Sequence, residues 1–328
     1  MAKAVLFINN KKENAEYLAS EIRRCLESRG FEHDSFSLDN EIVFETQSAY
    51  DIAFSIGGDG TVLYAVRCMA PLGIPVFPVN LGAFGFIAGI HPENWKSVFD
   101  DWCSGKAEFS RRLMLETRVE RRGRVVARNI CLNEALVSSP GIAKLIRLNV
   151  SLNAGTLSEY AVSTGTLGEN VVRDFLHLAQ YRSDGLIAAT PTGSTAHSAA
   201  SGGPILDPEI EAFILNPVCP FTLSHRPLVL PAAQTVLIEV EEDQKGGLML
   251  TADGQLTQIL EGGDRVFISP AAYKGILIAS GRAAFYDALK HKFFWMASAM
   301  AGGFKAAAAE PEGSADKSGS YAGGRDHA

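Results

Sequence analysis

The sequence lacks the patterns that mark several common protein classes. Its five cysteines form no CxxC pair of the kind that holds zinc or a redox disulfide, and they are typical of buried thiols in a reducing compartment. No apolar run reaches the roughly 18 residues of a membrane helix. The apolar start of the chain ends at Lys11, too early for a signal peptide. These absences favour a cytoplasmic protein without a membrane segment.

A basic block is also missing. The formal net charge is −7 at pH 7 and is spread along the chain, which excludes the electrostatic footprint of a nucleic-acid-binding protein. Apolar residues make up 47% of the chain and charged residues 20%, as in ordinary globular proteins. The 328 residues are enough for two domains, each with its own core.

The first part of the chain, residues 1–112, alternates between buried strands and amphipathic helices. The pattern predicts strands at Ala4–Ile8, Phe31–Leu38, Asp51–Ile56 and Ile74–Val79, and helices that start near Ala15, Thr61 and Pro92. This alternation predicts an α/β domain built on a doubly wound parallel sheet.

Residues 113–282 instead alternate between apolar and polar positions with a period of two, which predicts an all-β, sandwich-like domain. The turn at Arg122–Gly123 indicates a hairpin. Residues 283–300 are aromatic and compatible with a helix that returns to cover part of the protein. Residues 301–328 are rich in Ala, Gly and Ser, and we expect a disordered tail.

A glycine-rich turn, Gly57-Gly58-Asp59-Gly60-Thr61, follows a buried strand and precedes a helix. Ligands of open α/β sheets bind at this kind of position, and glycines let backbone N–H groups approach phosphate oxygens. Asp59 could act as a general base or help to hold Mg²⁺. The turn is neither a Walker A loop nor a GxGxxG motif. A plain Gly-Asp-Gly turn without a catalytic role is the alternative.

A second motif runs from Ser183 to Ser198 with the sequence SDGLIAATPTGSTAHS. An apolar strand leads into a loop of hydroxyl groups, Pro and Gly, and then into small helix-compatible residues. This composition suits a polar pocket beside a helix N-terminus, where free N–H groups bind anions or base edges. The alternative is that Ser194 or Thr195 only caps a helix.

Together these segments resemble the NAD kinase family, and the resemblance extends from about Ala4 to Ala279. The family is marked by a GGDG motif, an Asn-Glu pair and a segment close to DGLIxxTPTGSTAYS. The matching residues stand in the same order here and include Gly57 to Gly60, Asn133-Glu134, Asp184 to Ile205, Asn80 with Gly85-Phe86, Ser224 to Val229 and Asp253-Gly254-Gln255.

The resemblance implies that the chain transfers a phosphoryl group from ATP, with Mg²⁺ or another divalent cation, to the adenosine ribose 2′-hydroxyl of NAD. Asp59 would be the catalytic carboxylate, Asn133 and Glu134 would hydrogen-bond the dinucleotide, and Phe86 would pack near the adenine. It further implies that ligands are bound by Gly57, Gly58, Gly60, Thr61, Asn80, Arg182, Asp184, Thr192, Thr195, Ala196, His197, Ser198, Asp253 and Gln255. It assigns none of these residues to a resident metal ion.

The sequence departs from the family in two places. His197 stands where the family usually has Tyr, so its contribution to binding differs in charge and size. Residues 161–180 form an insert in which Val171, Val172, Phe175, Leu176 and Leu178 are spaced as in a short amphipathic helix. The insert is either a tolerated surface loop or a lid or subunit contact beside the NAD pocket.

Other functions remain open at this point. Diacylglycerol and sphingosine kinases share the GGDGT turn and a similar two-domain plan, and phosphofructokinases share a GGDGS turn. A non-catalytic NAD-binding sensor is a third possibility. The resemblance also implies a homodimer or homotetramer, but it does not distinguish ATP from polyphosphate as donor, or say whether NADH is accepted.

Overall fold

The computed structural model describes residues 1–38, 49–82, 85–87, 89–141, 145–153, 175–222, 224–244 and 247–292. The strands, in chain order, are β1 (Lys3–Ile8), β2 (Glu32–Ser37), β3 (Ile52–Gly57), β4 (Val76–Asn80), β5 (Phe109–Arg112), β6 (Leu115–Arg121), β7 (Arg124–Cys131), β8 (Glu134–Ser138), β9 (Ile146–Asn153), β10 (Phe175–Ser183), β11 (Gly185–Ala189), β12 (Ala212–Val218), β13 (Leu228–Pro231), β14 (Val236–Val240), β15 (Leu248–Ala252), β16 (Leu256–Leu260), β17 (Arg265–Pro270) and β18 (Gly275–Ile278). The helices are α1 (Ala15–Ser28), α2 (Asp59–Met69), α3 (Trp95–Cys103), α4 (His197–Ala200) and α5 (Arg282–Lys292).

The first sheet has the strand order β2-β1-β3-β4-β18-β5 and carries helices on both faces. In β1, Leu6 packs with α1 and α3 on one face, whereas Val5 and Phe7 pack with α2 on the other. Because successive side chains of a strand point to opposite faces, a strand covered on both sides must be apolar throughout. This explains the unbroken apolar run of β1 and confirms the expected α/β arrangement.

The sheet is mixed rather than wholly parallel. The neighbours from β2 to β18 pair in parallel, but β18 and the edge strand β5 pair antiparallel. The sequence analysis placed residues 275–278 in the β-rich part of the chain. In the structure β18 returns to the first sheet and lies between β4 and β5, where Leu277 and Ile278 are fully buried.

Two antiparallel six-stranded sheets form the rest of the described protein, with strand orders β10-β9-β14-β17-β6-β7 and β13-β12-β11-β8-β15-β16. Residues from both sheets belong to one apolar cluster, for example Val150 and Val266 from the first and Leu250 and Leu215 from the second. The hairpin expected at Arg122–Gly123 joins β6 to β7, and both residues have positive φ angles, as in a type I′ turn.

The prediction of a helix in the second half of the 161–180 insert is wrong. Phe175, Leu176 and Leu178 lie in β10, which pairs with β9 from Phe175 opposite Asn153 to Ser183 opposite Ile146. The long partner strand offers a ladder of backbone hydrogen bonds, interrupted by one register shift between His177 and Ala179, and this outweighs the local helical spacing. Residues 161–174, including Val171 and Val172, lie outside the described residues.

Helix α5 confirms the helical prediction for the residues after 283 as far as Lys292, and Phe285 is buried against Phe86. Residues 293–300 and the tail 301–328 lie outside the described part of the chain. Among the described helices, none combines the length and apolar character that a transmembrane segment requires.

Candidate active site

The glycine turn lies at the end of β3, and α2 begins within it at Asp59. The backbone N–H groups of Phe86 and Ile87 donate to the Asp59 carboxylate at 3.1 and 3.4 Å. A Cβ atom added to Gly85 would lie 2.0 Å from Oδ1 of Asp59, so only glycine allows this close approach. The half-buried carboxylate is therefore held in a defined position beside the turn.

Asn80 ends the neighbouring strand and lies next to Gly57 in the parallel register. The Leu81 N–H donates to the Gly57 carbonyl oxygen at 2.7 Å, which fixes the two strand ends together. The carboxyl ends of parallel strands meet at one edge of a sheet, where ligands of this fold class bind. The structure thus brings Asn80, Phe86 and the glycine turn to one place, as the sequence predicted.

Three further segments converge because β8 lies between β11 and β15 in one sheet. Glu134 begins β8 and is paired with Ala189 at the end of β11. The Thr190 N–H donates to the Asn133 carbonyl oxygen at 2.8 Å, and an added Cβ on Gly193 would lie 2.1 Å from that oxygen. The Asn-Glu pair and the TPTG loop are therefore in direct contact.

This contact region contains buried polar atoms that lack protein partners. Asn133, Glu134 and Thr192 are 7%, 8% and 4% exposed. Among the residues that the structure describes, Asn133 Oδ1, Glu134 Oε2 and Thr192 Oγ1 have no hydrogen-bond partner. Buried polar atoms are usually satisfied, because leaving one unpaired costs about 1–3 kcal/mol. A polar ligand that donates hydrogen bonds would remove this cost.

Burial also changes the acidity of Glu134. Loss of solvent around the carboxyl group, followed by the nearby negative charge of Asp253, raises the pKa of Glu134 to about 7. Its carboxyl group is therefore poised to change charge near neutral pH. Perturbed carboxyl groups of this kind are common in functional sites.

Asp253, at the end of β15, makes four buried contacts. Its carboxylate accepts backbone N–H groups of Leu132, Asn133 and Glu134 at 3.0, 2.7 and 3.3 Å. It also forms an ion pair with Arg67 of α2 at 2.9 Å. The sequence analysis named Asp253 among the ligand-binding residues but not Arg67, whose only signal in the sequence is a charge within a mostly apolar helix.

Gln255 connects the two halves of the site. Its side-chain amide donates to the Gly60 carbonyl oxygen at 2.9 Å, and its carbonyl oxygen accepts from Arg67. The glycine turn, the Asn-Glu pair and the Asp253–Gln255 turn are thereby joined through side-chain hydrogen bonds. Thr61 lies in the same region and is almost fully buried.

Arg182 and Asp184 are not brought to this place. They precede β11, whereas Thr190 and Thr192 follow it, so the five residues of β11 separate them by on the order of 17 Å. The Arg182 guanidinium lies 5.2 Å from the centre of the Phe221 ring. Within one copy of the described chain, these two residues belong to the opposite end of the strand.

The residues after the TPTG loop differ in exposure. Thr195 and Ala196 are half-buried, and His197, the first residue of α4, is exposed. Ser198 is fully buried, and its oxygen atoms accept from the Asn216 side chain at 3.1 and 3.3 Å. Ser198 therefore has a structural partner, in contrast to the binding role that the sequence predicted.

Comparison with known proteins identifies the family. Residues 1–107 match the model of the ATP-NAD kinase N-terminal domain, and residues 132–280 match that of the C-terminal domain. The chain belongs to the NAD kinase family. The NAD kinase of Treponema denticola is 38% identical over 303 residues, covering 91% of this chain and 98% of that protein. That of Aquifex aeolicus is 33% identical and covers 90% and 100%.

Solved structures agree in fold. An NAD kinase from Archaeoglobus fulgidus in complex with ATP gives a TM-score of 0.65 at 23% identity and covers 88% of this chain and 96% of its own. A yeast NADH kinase complexed with NADH gives 0.74 at 20% identity and covers 90% and 88%. The two family models and the relatives at 38% and 33% identity show that the chain has NAD kinase activity, and they do not support the lipid kinase and sensor alternatives.

Proposed function

We propose that the phosphoryl transfer takes place where the glycine turn faces the Asn133–Glu134 pair, with Asp59 as the catalytic carboxylate. The observation that carries this proposal is the group of buried, unpartnered oxygens on Asn133, Glu134 and Thr192 among the described residues. The other ribose hydroxyl groups of NAD are donors that would satisfy the Glu134 carboxylate.

Asp59 would orient the adenosine ribose 2′-hydroxyl and accept its proton as the 2′-oxygen bonds to the γ-phosphorus of ATP and the bond from that phosphorus to the bridging oxygen breaks, which releases ADP. Phosphoryl transfer depends mainly on positioning and charge neutralisation. One well-placed carboxylate is therefore sufficient to orient and deprotonate the acceptor hydroxyl group. Asp59 accepts the backbone N–H groups of Phe86 and Ile87 and is still half-buried, so part of the residue remains exposed.

The donor triphosphate would lie against the glycine turn. The described residues contain no group of three or more His, Cys, Asp or Glu side chains that could enclose a metal ion. This fits Mg²⁺, which commonly binds through phosphate oxygens, water and only one or two carboxylates. Asp59 is the carboxylate of this site that would hold the cation, which when bound would neutralise phosphate charge.

The remaining predicted ligand residues fall into three groups. The first group keeps its proposed contacts with substrates and consists of Asn80, Phe86, Gly57, Gly58, Gly60, Thr61, Thr192, Thr195, Ala196 and His197. Asp253, Gln255 and Ser198 are proposed to support the site, because their side chains already have protein partners. Arg182 and Asp184 have no proposed contact with a ligand bound to the same copy.

We also propose that the protein is a cytoplasmic homodimer or homotetramer and that its phosphoryl donor is ATP or polyphosphate. In the proposed fold, the first sheet is arranged as in phosphofructokinases and lipid kinases, and the second domain is sandwich-like. The two antiparallel sheets that share one apolar cluster support the sandwich. The molar mass of the native protein in solution tests the number of subunits. NADP formation with ATP and with polyphosphate tests the phosphoryl donor.

A direct assay tests the reaction. Full-length protein is incubated with ATP, Mg²⁺ and either NAD, NADH or a lipid alcohol, and the NADP or NADPH formed is measured. We expect NADP from NAD and no phosphorylation of the lipid. NAD binding without any NADP would instead favour a sensor.

A further inference from the structure

Arg67 is a buried cation on α2. Leu63, one turn earlier on the same side of the helix, is buried in an apolar cluster, and Arg67 itself is only 8% exposed. A buried charge is costly unless it is paired and hydrogen-bonded. Arg67 must therefore be held by specific partners rather than by packing alone.

The first partner of Arg67 is the Asp253 carboxylate. The side chains of the two residues are 7% and 0% exposed, and their nitrogen and oxygen atoms lie 2.9 Å apart. The same carboxylate accepts the N–H groups of residues 132, 133 and 134. The pair therefore fixes the backbone that carries Asn133 and Glu134.

The second partner is Gln255, whose carbonyl oxygen accepts from the other terminal nitrogen of Arg67. The amide group of Gln255 donates in turn to the carbonyl oxygen of Gly60, the residue after Asp59. One planar guanidinium, on the helix that begins at Asp59, thus binds two residues of the turn after β15, Asp253 and Gln255. A lysine could not reproduce this fork, because its ammonium group is a single point of charge.

We propose that Arg67 is a positioning residue that sets the separation between Asp59 and the Asn133–Glu134 pair. This inference rests on the roles proposed above for these three residues. Catalysis by positioning is sensitive to small displacements, since a shift of about 1 Å can reduce the rate by about 100-fold. Arg67 need not touch a substrate to have this effect.

Steady-state kinetics of two variants of the full chain test the proposal. Arg67→Lys keeps a charge opposite Asp253 but loses the contact with Gln255, so we expect kcat to fall about tenfold while KM for NAD changes less than about threefold. Arg67→Met leaves the Asp253 charge without its cation, so we expect kcat to fall about 100-fold and KM for NAD to rise about tenfold.

Arg121→Met is the matched control. Arg121 binds the fully buried Asp264 through two nitrogen atoms at 2.9 and 2.8 Å, in the β-rich part of the protein and outside the site. This variant also removes the cation from a buried carboxylate. We expect its melting temperature to fall while kcat and KM for NAD stay at the wild-type values.

The outcome that would overturn the proposal is wild-type kcat and KM in both Arg67 variants, with only a loss of stability like that of Arg121→Met. If Arg67→Met does not fold, Arg67→Lys decides alone, because wild-type kcat in that variant contradicts the proposal. A wild-type protein that forms no NADP would contradict the proposed function itself, so the two failures are distinguishable.

Discussion

Asp59 and Glu134 are carboxylates on two sides of one site, and the fold gives them different surroundings. Asp59 is half-buried and accepts two backbone N–H groups. Glu134 is buried with an unpartnered oxygen among the described residues, and its pKa is raised to about 7. Burial disfavours the charged form of the Glu134 carboxylate. The difference in surroundings accords with the proposed roles, in which Asp59 acts in the reaction and Glu134 in binding.

Among the variants that test the difference between Asp59 and Glu134, Asp59→Asn has the largest expected effect on turnover. An amide cannot accept the proton of the ribose hydroxyl, so we expect kcat to fall by a factor of about 100 or more. NAD binding should change less than about threefold, because the dinucleotide is held mainly by the other side of the site. Turnover and calorimetric NAD binding measure the two quantities separately.

Asp51→Asn is the control for that substitution. Asp51 immediately precedes β3, so it lies at the end of this strand away from the glycine turn, and it is exposed. Its replacement should leave kcat unchanged. If Asp59→Asn also retained wild-type turnover, Asp59 would have no catalytic role.

Substitution of the other carboxylate, Glu134→Gln, should weaken binding more than turnover. Hydrogen bonds from ribose hydroxyl groups are stronger to a charged carboxylate, so we expect KM for NAD to rise about tenfold above pH 7. In the wild type, KM for NAD should fall as the pH rises through about 7, because Glu134 becomes ionised. If the ratio of KM for NAD in Glu134→Gln to that in the wild type is the same at pH 5.5 and pH 8, this role of Glu134 is contradicted.

The stability of the ligand-free protein provides a second test of Glu134. The folded state raises its pKa from 4.5 to about 7, so the protonated form is favoured by folding. The contribution of the protonated Glu134 to the free energy of unfolding is fully present below pH 4.5 and is lost as the pH rises through about 7. The total loss corresponds to about 3 kcal/mol. Denaturant unfolding of the wild type between pH 4.5 and 8 should show this loss relative to Glu134→Gln, which lacks the titrating group.

The smallest effect is expected for His197→Tyr, which restores the residue usual in the family. His197 is exposed at the start of α4, and Tyr would keep an aromatic ring with a hydrogen-bonding group at this position. We expect kcat/KM for NAD to change less than about threefold, or about 0.6 kcal/mol. A change above tenfold would show that His and Tyr do not bind the ligand equivalently at this position.

Local patterns in the sequence predicted much of the fold and part of the site. The apolar run of β1 and the helical spacing of α1 were sufficient to predict these two elements, because the buried positions of each element follow a regular pattern in its own sequence. The glycine turn was located correctly between β3 and α2. In each case the determining interactions lie close together along the chain.

Long-range pairings were not predictable in this way. β18 joins the first sheet after the whole β-rich part, and Arg67 meets Asp253, 186 residues later. Arg182 and Asp184 are close to Thr192 in sequence, yet β11 carries them to the opposite end of a strand. Spacing alone does not show which strands become neighbours.

The most direct test of the account is a crystal structure of the protein with NAD bound. We predict that the adenosine ribose 2′-oxygen lies within about 3 Å of the Asp59 carboxylate, with the buried oxygens of Glu134 and Asn133 bonded to the dinucleotide. A 2′-oxygen far from Asp59, in an arrangement that no movement of the two halves could close, would contradict the central claim.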